Sequence, residues 1–338
     1  MKIHHLIHPS DIQQAQSFLA KFDLAFELPY DNLVACMKQG NIVGLGARHG
    51  CILKMFAVDP EYQTGEVFPE LVTTLVQTGI DTGLDNFFVF TKPEFSQSFQ
   101  SLNFKRLYCG SHVVLLEYGK GINQYLHHLS DKKNPGDNGC IVVNCNPFTL
   151  GHRYLIEQAL QQCDHLYIIV VEEDRSSFPF PVRLELILKG VSDIDRISVI
   201  PSGPYAVSQI TFPNYFLKDQ NLASNQQIEI DLHLFGNFVA PFFDVRRRFV
   251  GNEPYCQTTA YYNHHMKQQL SRYRIDLIEI PRCSTLDHKI ISASTVRRML
   301  RENQQNDLEQ FLPSTTLEFV NSSAFNRDWL ITNENERL

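Results

Sequence analysis

No stretch of this 338-residue sequence approaches the roughly 18 consecutive apolar residues that a membrane-spanning helix needs. The opening MKIHHLIHPSDIQQ has no apolar signal core. A soluble, cytoplasmic protein is therefore expected, without a membrane partner. The eight cysteines, at positions 36, 51, 109, 140, 145, 163, 256 and 283, include no C-x-x-C pair, which leaves neither a zinc-binding pattern nor a disulfide framework. Positive charge is in deficit, with 30 Lys and Arg against 37 Asp and Glu for a net charge of -7, a balance that repels a nucleic-acid backbone. Internal repeats and low-complexity tracts are also missing. The histidine pairs His127/His128 and His264/His265 lack ligand-like neighbours in sequence, so no metal site made of protein side chains is expected.

What is present is enough apolar content, 43% of residues, to build two cores of ordinary size. The segment 119–138 carries GKG and DKKNPGDNG with little apolar periodicity, the composition of a connection. It is read as a linker between a first domain over 1–118 and a second over 139–338. In the first, NIVGLGAR, CILKMFAV and NFFVFTK read as strands, while 66–83 and 94–102 read as helices, which implies a mixed α+β domain with a largely antiparallel sheet. In the second, CIVVNC, HLYIIVVEE, ISVIPSG and IDLHLFG read as strands, with helices HRYLIEQALQQC and VRLELILKGV between the first three. Strands and helices in alternation imply an α/β domain built on a parallel sheet, whose ligand sits outside the carboxyl ends of the strands where the topology switches.

The chemistry concentrates in NCNPFTLGHRYLI, where a buried-type strand ends in Asn146, Pro147 and Phe148 and a helix starts near Gly151. Gly151 removes a Cβ where a phosphate would approach the backbone, and the helix start offers unpaired amides and a positive dipole end. Thr149 and His152 add a hydroxyl and an imidazole suited to charge redistribution at an α-phosphorus. Far downstream, ISASTVRR sets the hydroxyls of Ser292, Ser294 and Thr295 ahead of a helix with Arg297 and Arg298 on it, a second set of donors for β- and γ-phosphates. Either segment alone is an ordinary helix start. The pair, separated by a whole parallel-sheet domain, is the specific signal. Gly236 and Asn237, closing IDLHLFG, are expected at the sheet's carboxyl edge beside adenine or ribose. Arg246, Arg247 and Arg248 read as a solvated helix face, and Cys140 and Cys145 as small core residues rather than nucleophiles.

TLGH and ISASTVR resemble the two signature motifs of Rossmann-like (HUP-type) nucleotidyltransferases, with Thr149 in place of a leading His and Ala293 in place of a Ser. That resemblance also implies a phosphate contact for Arg183. Over nearly the full length, stretches such as LKMFAVDPEYQTGE, TFPNYFLKD and FVGNEPYCQTTAYYN resemble the [citrate (pro-3S)-lyase] ligase family, which joins a GNAT-like domain to a nucleotidyltransferase domain. The resemblance implies an acid-thiol ligase that uses ATP with Mg²⁺ to convert acetate into acetyl-AMP. The acetyl group then passes to the thiol of the CoA-like arm on the citrate lyase acyl carrier subunit. Catalytic roles would fall to His152, Thr149 and Arg297. In the GNAT-like domain the pyrophosphate-binding loop corresponds to QTGEVF, so Val58, Gln63, Thr64 and Gly65 are expected beside the arm, although Glu66 would repel a pyrophosphate. Two other readings stay open: an adenylyltransferase for a phosphorylated small molecule, and a GNAT acetyltransferase or acyl-CoA sensor.

Overall fold

A computed structural model of the chain describes residues 2–172, 176–207, 212–213, 215–217, 219–252, 257–285, 287–304 and 307–330. It divides into two compact units, one of Met1–Tyr125 with Val207–His233, the other of Leu126–Ala206 with Leu234–Leu338.

The first unit carries β1 (Lys2–His5), α1 (Pro9–Ala20), β2 (Asn32–Lys38), β3 (Asn41–His49), β4 (Ile52–Val58), α2 (Val67–Ile80), β5 (Asn86–Thr91), α3 (Ser96–Gln100), β6 (Lys105–Cys109) and β7 (Val114–Gly119). Its seven strands run in the order β1-β2-β3-β4-β5-β7-β6. Every pairing is antiparallel except β4 with β5, which is parallel and registers only Ile52 with Phe88 and Leu53 with Val89. This is the GNAT-like architecture that the resemblance implies. Helix α2 covers one face because Val67, Leu71, Val72, Leu75 and Val76 recur at helical spacing and are all buried. Gly79 completes that contact: a Cβ there would lie 2.3 Å from the Phe87 ring, so only glycine lets the helix lie flat on β5.

The segment 207–233 belongs to this unit although it follows two strand-helix pairs of the second. Ala25 donates its amide to the Tyr215 carbonyl at 3.0 Å, and the Tyr215 amide donates to Glu27 Oε2 at 3.1 Å. Glu27 also holds the buried Lys54 of β4 at 2.8 Å. The Phe212 ring meets Phe90 edge-on, and His233 packs on Tyr108 with a ring nitrogen 3.1 Å from the Leu107 carbonyl. The contiguous domain 139–338 expected from sequence is thus interrupted, because an apolar segment buries itself against partners from the first 110 residues.

The second unit continues with α4 (Gly121–His128), in which the unit boundary falls, then β8 (Asn138–Val143), α5 (Leu150–Leu160), β9 (His165–Val170), α6 (Phe180–Gly190) and β10 (Ile197–Pro201). After α7 (Gln220–Leu234) a π-helical turn, Phe235–Val239, leads into α8 (Ala240–Phe242). There follow β11 (Val245–Gly251), α9 (Gln257–Leu270), β12 (Asp276–Ile280), α10 (Ala293–Arg301) and α11 (Ser314–Val320). Five strands form one fully parallel sheet in the order β10-β9-β8-β11-β12. The order reverses between β8 and β11, the switch point at which such sheets take ligands. Ile141, Ile168 and Val170 of the sheet pack with Ile156 of α5, Leu186 of α6 and Val296 of α10 in one core.

Three expectations are corrected here. The segment 119–138 is not an unstructured connection, since α4 lies within it. IDLHLFG is not a strand: it continues α7 into the π-helical turn, and its alternation arises because Ile228, Ile230, Leu232 and Leu234 are buried around more than one side of that helix. The arginine run is not a helix face but the middle of β11, with Arg248 registered opposite Cys140. Among the described residues, no helix is long and apolar enough to cross a membrane.

A fragment beginning at Asn138 would keep 207–233 and lose Ala25, Glu27, Phe90 and Tyr108. It should melt well below the full chain or without a cooperative transition, as calorimetry would show; melting at the full chain's temperature would refute the assignment of this segment to the first unit.

Candidate nucleotide site at the sheet switch point

At the carboxyl edge of the parallel sheet, β8 ends at Val143 and the chain turns sharply into α5. Cys145 adopts a left-handed φ of 51° and the Asn146–Pro147 peptide is cis. Thr149, extended at φ -126° and ψ 167°, caps the helix. Its amide donates to His152 Nδ1 at 3.1 Å, and its hydroxyl lies 2.9 Å from the same nitrogen. Because Nδ1 accepts, a neutral imidazole must carry its proton on Nε2, which leaves an N–H donor for a ligand. Burial, assisted by the Arg282 guanidinium, pushes the His152 pKa down to about 4. The imidazole is therefore a neutral donor at pH 7, whereas the sequence left open a positive one.

The second motif meets the first through its backbone. Ser292 caps α10, accepting from the Thr295 amide at 3.1 Å and pairing with the Thr295 hydroxyl at 2.9 Å. Immediately before it, the Ile291 carbonyl oxygen would lie 2.9 Å from a Cβ built on Gly151. Gly151 is thus needed for the contact between two backbones 140 positions apart, as well as for space near a ligand. Arg297 donates to the Asn146 carbonyl at 2.5 Å, tying α10 to the β8–α5 turn.

A cavity of about 1130 Å³ opens at this place, lined from β8 by Ile141 to Asn144, from α5 by Gly151 and His152, and from the second motif by Ser292, Ala293, Ser294, Thr295 and Arg298. Its other walls include Arg248, Asn263, Arg282 and Lys289. Among the described residues four formally cationic side chains face it and no carboxylate does, although the chain as a whole is acidic. With the starts of α5 and α10 beside it, this is a site for a polyanion.

Several expected ligand contacts lie behind the wall instead. Pro147, Phe148 and Thr149 are buried, and Phe148 packs on Gly190 in the core. Asn146 uses its side-chain oxygen to accept from the Phe178 amide at 2.9 Å and so positions the turn. Arg183 is fully buried, donating to the Asn144, Val171 and Phe178 carbonyls at 2.8, 2.9 and 3.0 Å, which holds the ends of β8 and β9 together and keeps its guanidinium from a phosphate. Gly236 lies in the π-helical turn against the Tyr273 ring, and Asn237 follows it there, so neither stands at the carboxyl edge of a strand. Cys145 is buried, and burial drives its thiol pKa upward, away from a nucleophile's range.

In the first unit, Val58, Gln63, Thr64 and Gly65, expected beside the arm, lie at the end of β4 and in the turn ahead of α2. Gln63 Nε2 donates to the Val58 carbonyl at 3.2 Å, and the Gly65 amide to the Tyr62 carbonyl at 3.2 Å. Where β4 leaves β5, the Met55 amide is turned to the hydroxyl of the buried Tyr215. Tyr215 and Phe212 of the 207–233 segment thus pack beside β4 and β5. A cavity of about 790 Å³ lies elsewhere in this unit, beside Lys21, Lys38, Asn41 and Tyr62.

Sequence reasoning missed Arg282. Arg282 follows β12 and is held to the end of β11, its amide donating to Asn252 Oδ1 at 3.2 Å and its Nε to the Asn252 carbonyl at 2.8 Å. The available signal was a basic residue two positions past a strand of the parallel sheet.

With this geometry in place, similarity to known proteins decides the family. The family model described as the citrate lyase ligase C-terminal domain matches residues 138–320. A protein of Haemophilus influenzae named [citrate [pro-3S]-lyase] ligase is 42% identical over 287 residues, covering 82% of this chain and 85% of that protein. The chain belongs to the citrate lyase ligase family. Proteins of the same name from Escherichia coli and Klebsiella pneumoniae are 35% and 36% identical, each over 90% of this chain. Ligase chemistry is thereby assigned to a chain with one strongly cationic cavity at the nucleotidyltransferase switch point.

The depressed His152 pKa has a thermodynamic consequence. The unfolded chain binds the imidazole proton near the usual 6.5 and the folded chain only near 4, so this stabilisation is complete above 6.5 and is lost as pH falls through that interval. Between pH 7 and pH 5 the wild type should lose about 2 kcal/mol from this group, and His152→Gln should lack that slope. Urea midpoints at the two pH values measure it; equal slopes would refute a buried neutral imidazole.

Proposed function

We propose that this protein activates citrate lyase by acetylating the thiol of the CoA-like arm on its acyl carrier subunit, and that the acetyl group first becomes acetyl-AMP in the cavity between β8 and β11. The observation that carries this reading is the cavity's charge: among the described residues four cations, two helix starts and no acid, at the switch point of a parallel sheet. Membership of the ligase family supplies the direction of the chemistry.

ATP enters with its triphosphate across the starts of α5 and α10. A magnesium ion carried on the phosphates would supply charge neutralisation there, and among the described residues no cluster of His, Cys, Asp or Glu would hold it directly. The acetate oxygen attacks the α-phosphorus in line, and the bond to the bridging oxygen of pyrophosphate breaks. His152 donates Nε2–H to the non-bridging oxygens as charge shifts among them, held in place by Thr149 at Nδ1. Ser292, Ser294, Thr295, Arg298 and Arg282 take the leaving pyrophosphate, while Arg297 keeps the two motifs in register through Asn146. The carrier thiol then attacks the acetyl carbon and AMP departs. The chain contributes position and fixed charge, with no covalent enzyme intermediate.

Acetate-dependent exchange of labelled pyrophosphate into ATP tests the first half-reaction. His152→Ala should lower it by about 10² to 10³ with the fold retained, as for loss of one preorganised donor. Arg297→Ala should lower ATP use through loss of the register between motifs. An unchanged exchange rate in His152→Ala would remove the imidazole from the mechanism.

A further inference from the structure

Between the end of β12 and the cap of α10 the chain doubles back on itself at the rim of the nucleotide cavity. Ser284 bridges Ile290 in antiparallel fashion, and the Ile291 amide donates to the Cys283 carbonyl at 3.1 Å. Thr285 staples the turn that joins them. Its amide donates to the Lys289 carbonyl at 2.9 Å, its carbonyl accepts from the His288 amide at 3.0 Å, and its hydroxyl accepts from the Lys289 amide at 3.1 Å. Thr285 is buried, whereas Asp287, His288 and Lys289 at the tip are exposed. His288 takes a left-handed φ of 61°, uncommon for a residue with a Cβ, and the bonds of Thr285 on either side hold the backbone there.

Lys289 lines the same cavity as His152 and Arg282. Arg282 is the cation that lowers the proton affinity of His152, which places it near the imidazole and the α-phosphorus. Lys289 stands further out. The Ile291 carbonyl meets the first turn of α5 at Gly151, and Lys289 is two residues nearer the exposed tip, about 7 Å along extended chain. Among the described residues no carboxylate pairs with its ammonium, the neighbouring Asp287 included. A triphosphate with its α-phosphorus at His152 and its β-phosphate at the helix starts directs its γ-phosphate to this rim.

We propose that Lys289, held at the hairpin tip by Thr285, binds the γ-phosphate and makes the site selective for a nucleoside triphosphate over the diphosphate. This rests on the reading that the cavity holds ATP for adenylation. A terminal phosphate presents three equivalent oxygens, which a compact ammonium on a flexible stem can follow without the planar match a guanidinium needs. Thr285 is a positioning residue that acts through Lys289. Loss of its hydroxyl leaves the Lys289 amide without its acceptor and loosens the tip that carries the ammonium.

The test uses the full chain, with binding of ATP and of ADP measured by calorimetry in the presence of magnesium. Wild type should bind ATP about tenfold more tightly than ADP, the order expected for one hydrogen bond between charged groups. Lys289→Met should weaken ATP about tenfold and leave ADP within about twofold, so that the two affinities converge. Its melting temperature should match wild type, because the side chain is exposed. Thr285→Val should weaken ATP in the same selective way, and Thr285→Ser, which keeps the hydroxyl, should restore it. An ATP affinity in Lys289→Met close to that of wild type overturns the proposal, as does an equal loss for ATP and ADP, the mark of a general field rather than a γ-phosphate contact. Wild-type ATP affinity in Thr285→Val overturns the positioning role of Thr285. If Thr285→Val fails to fold, the exposed Lys289→Met still decides. A wild-type chain that prefers ATP to ADP but shows no acetate-dependent pyrophosphate exchange refutes the adenylation reading and leaves the γ-phosphate contact standing; one that binds neither nucleotide refutes both.

Discussion

The site depends on the backbone of Ile291 reaching the first turn of α5, where Gly151 has no side chain to hold it off. A parallel sheet places all its carboxyl ends on one edge, and the reversal of strand order between β8 and β11 leaves a gap there. Closing one side of that gap takes two helix starts side by side. The Gly151 contact, the capping of α5 by Thr149 and of α10 by Ser292, and the Arg297 strut to Asn146 all serve that arrangement. The positive ends of two helix dipoles then lie beside one cavity, and the cations on its walls add to their field.

Electrostatics sort the arginines of the second unit by burial and partner rather than by distance from the motifs in sequence. Arg183 is buried with carbonyl acceptors for its donors and so acts as a brace. Arg282 stands at the cavity, where it helps hold His152 neutral. Arg248 is buried against the Phe235 ring, with Nε and Nη1 making no hydrogen bond. A neutral His152 with a fixed tautomer avoids charge repulsion with these neighbours in the empty site, yet keeps an N–H aimed outward.

The first unit keeps the strand order of a GNAT-like fold, with one short parallel junction between β4 and β5. The parallel junction of β4 and β5 is two residue pairs long, and Phe212 and Tyr215 pack into the region beyond it. That explains why QTGEVF departs from a pyrophosphate-binding loop: its backbone groups make local bonds within the turn ahead of α2. Burying the apolar side chains Phe212 and Tyr215 stabilises both the 207–233 segment and the strands they pack on.

The α/β alternation of the second unit and the helix starts at Thr149 and Ser292 were legible in the sequence, because apolar periodicity and cap residues are local signals. So was the GNAT-like character of the first unit, through the resemblance of whole stretches. Tertiary structure decided the rest. Alternation in IDLHLFG became a helix because burial on more than one side mimics a strand's period. RRR became the middle of a strand, and Phe148 and Arg183 fell behind the wall of the site, since which face a side chain occupies depends on what packs there. The 207–233 segment joined the first unit through contacts nearly 200 positions away, a partnership that no local pattern encodes. Sequence alone determined which groups were available to meet a triphosphate; only the fold decided which of them it would meet, because burial and hydrogen bonding are settled between residues far apart in the chain.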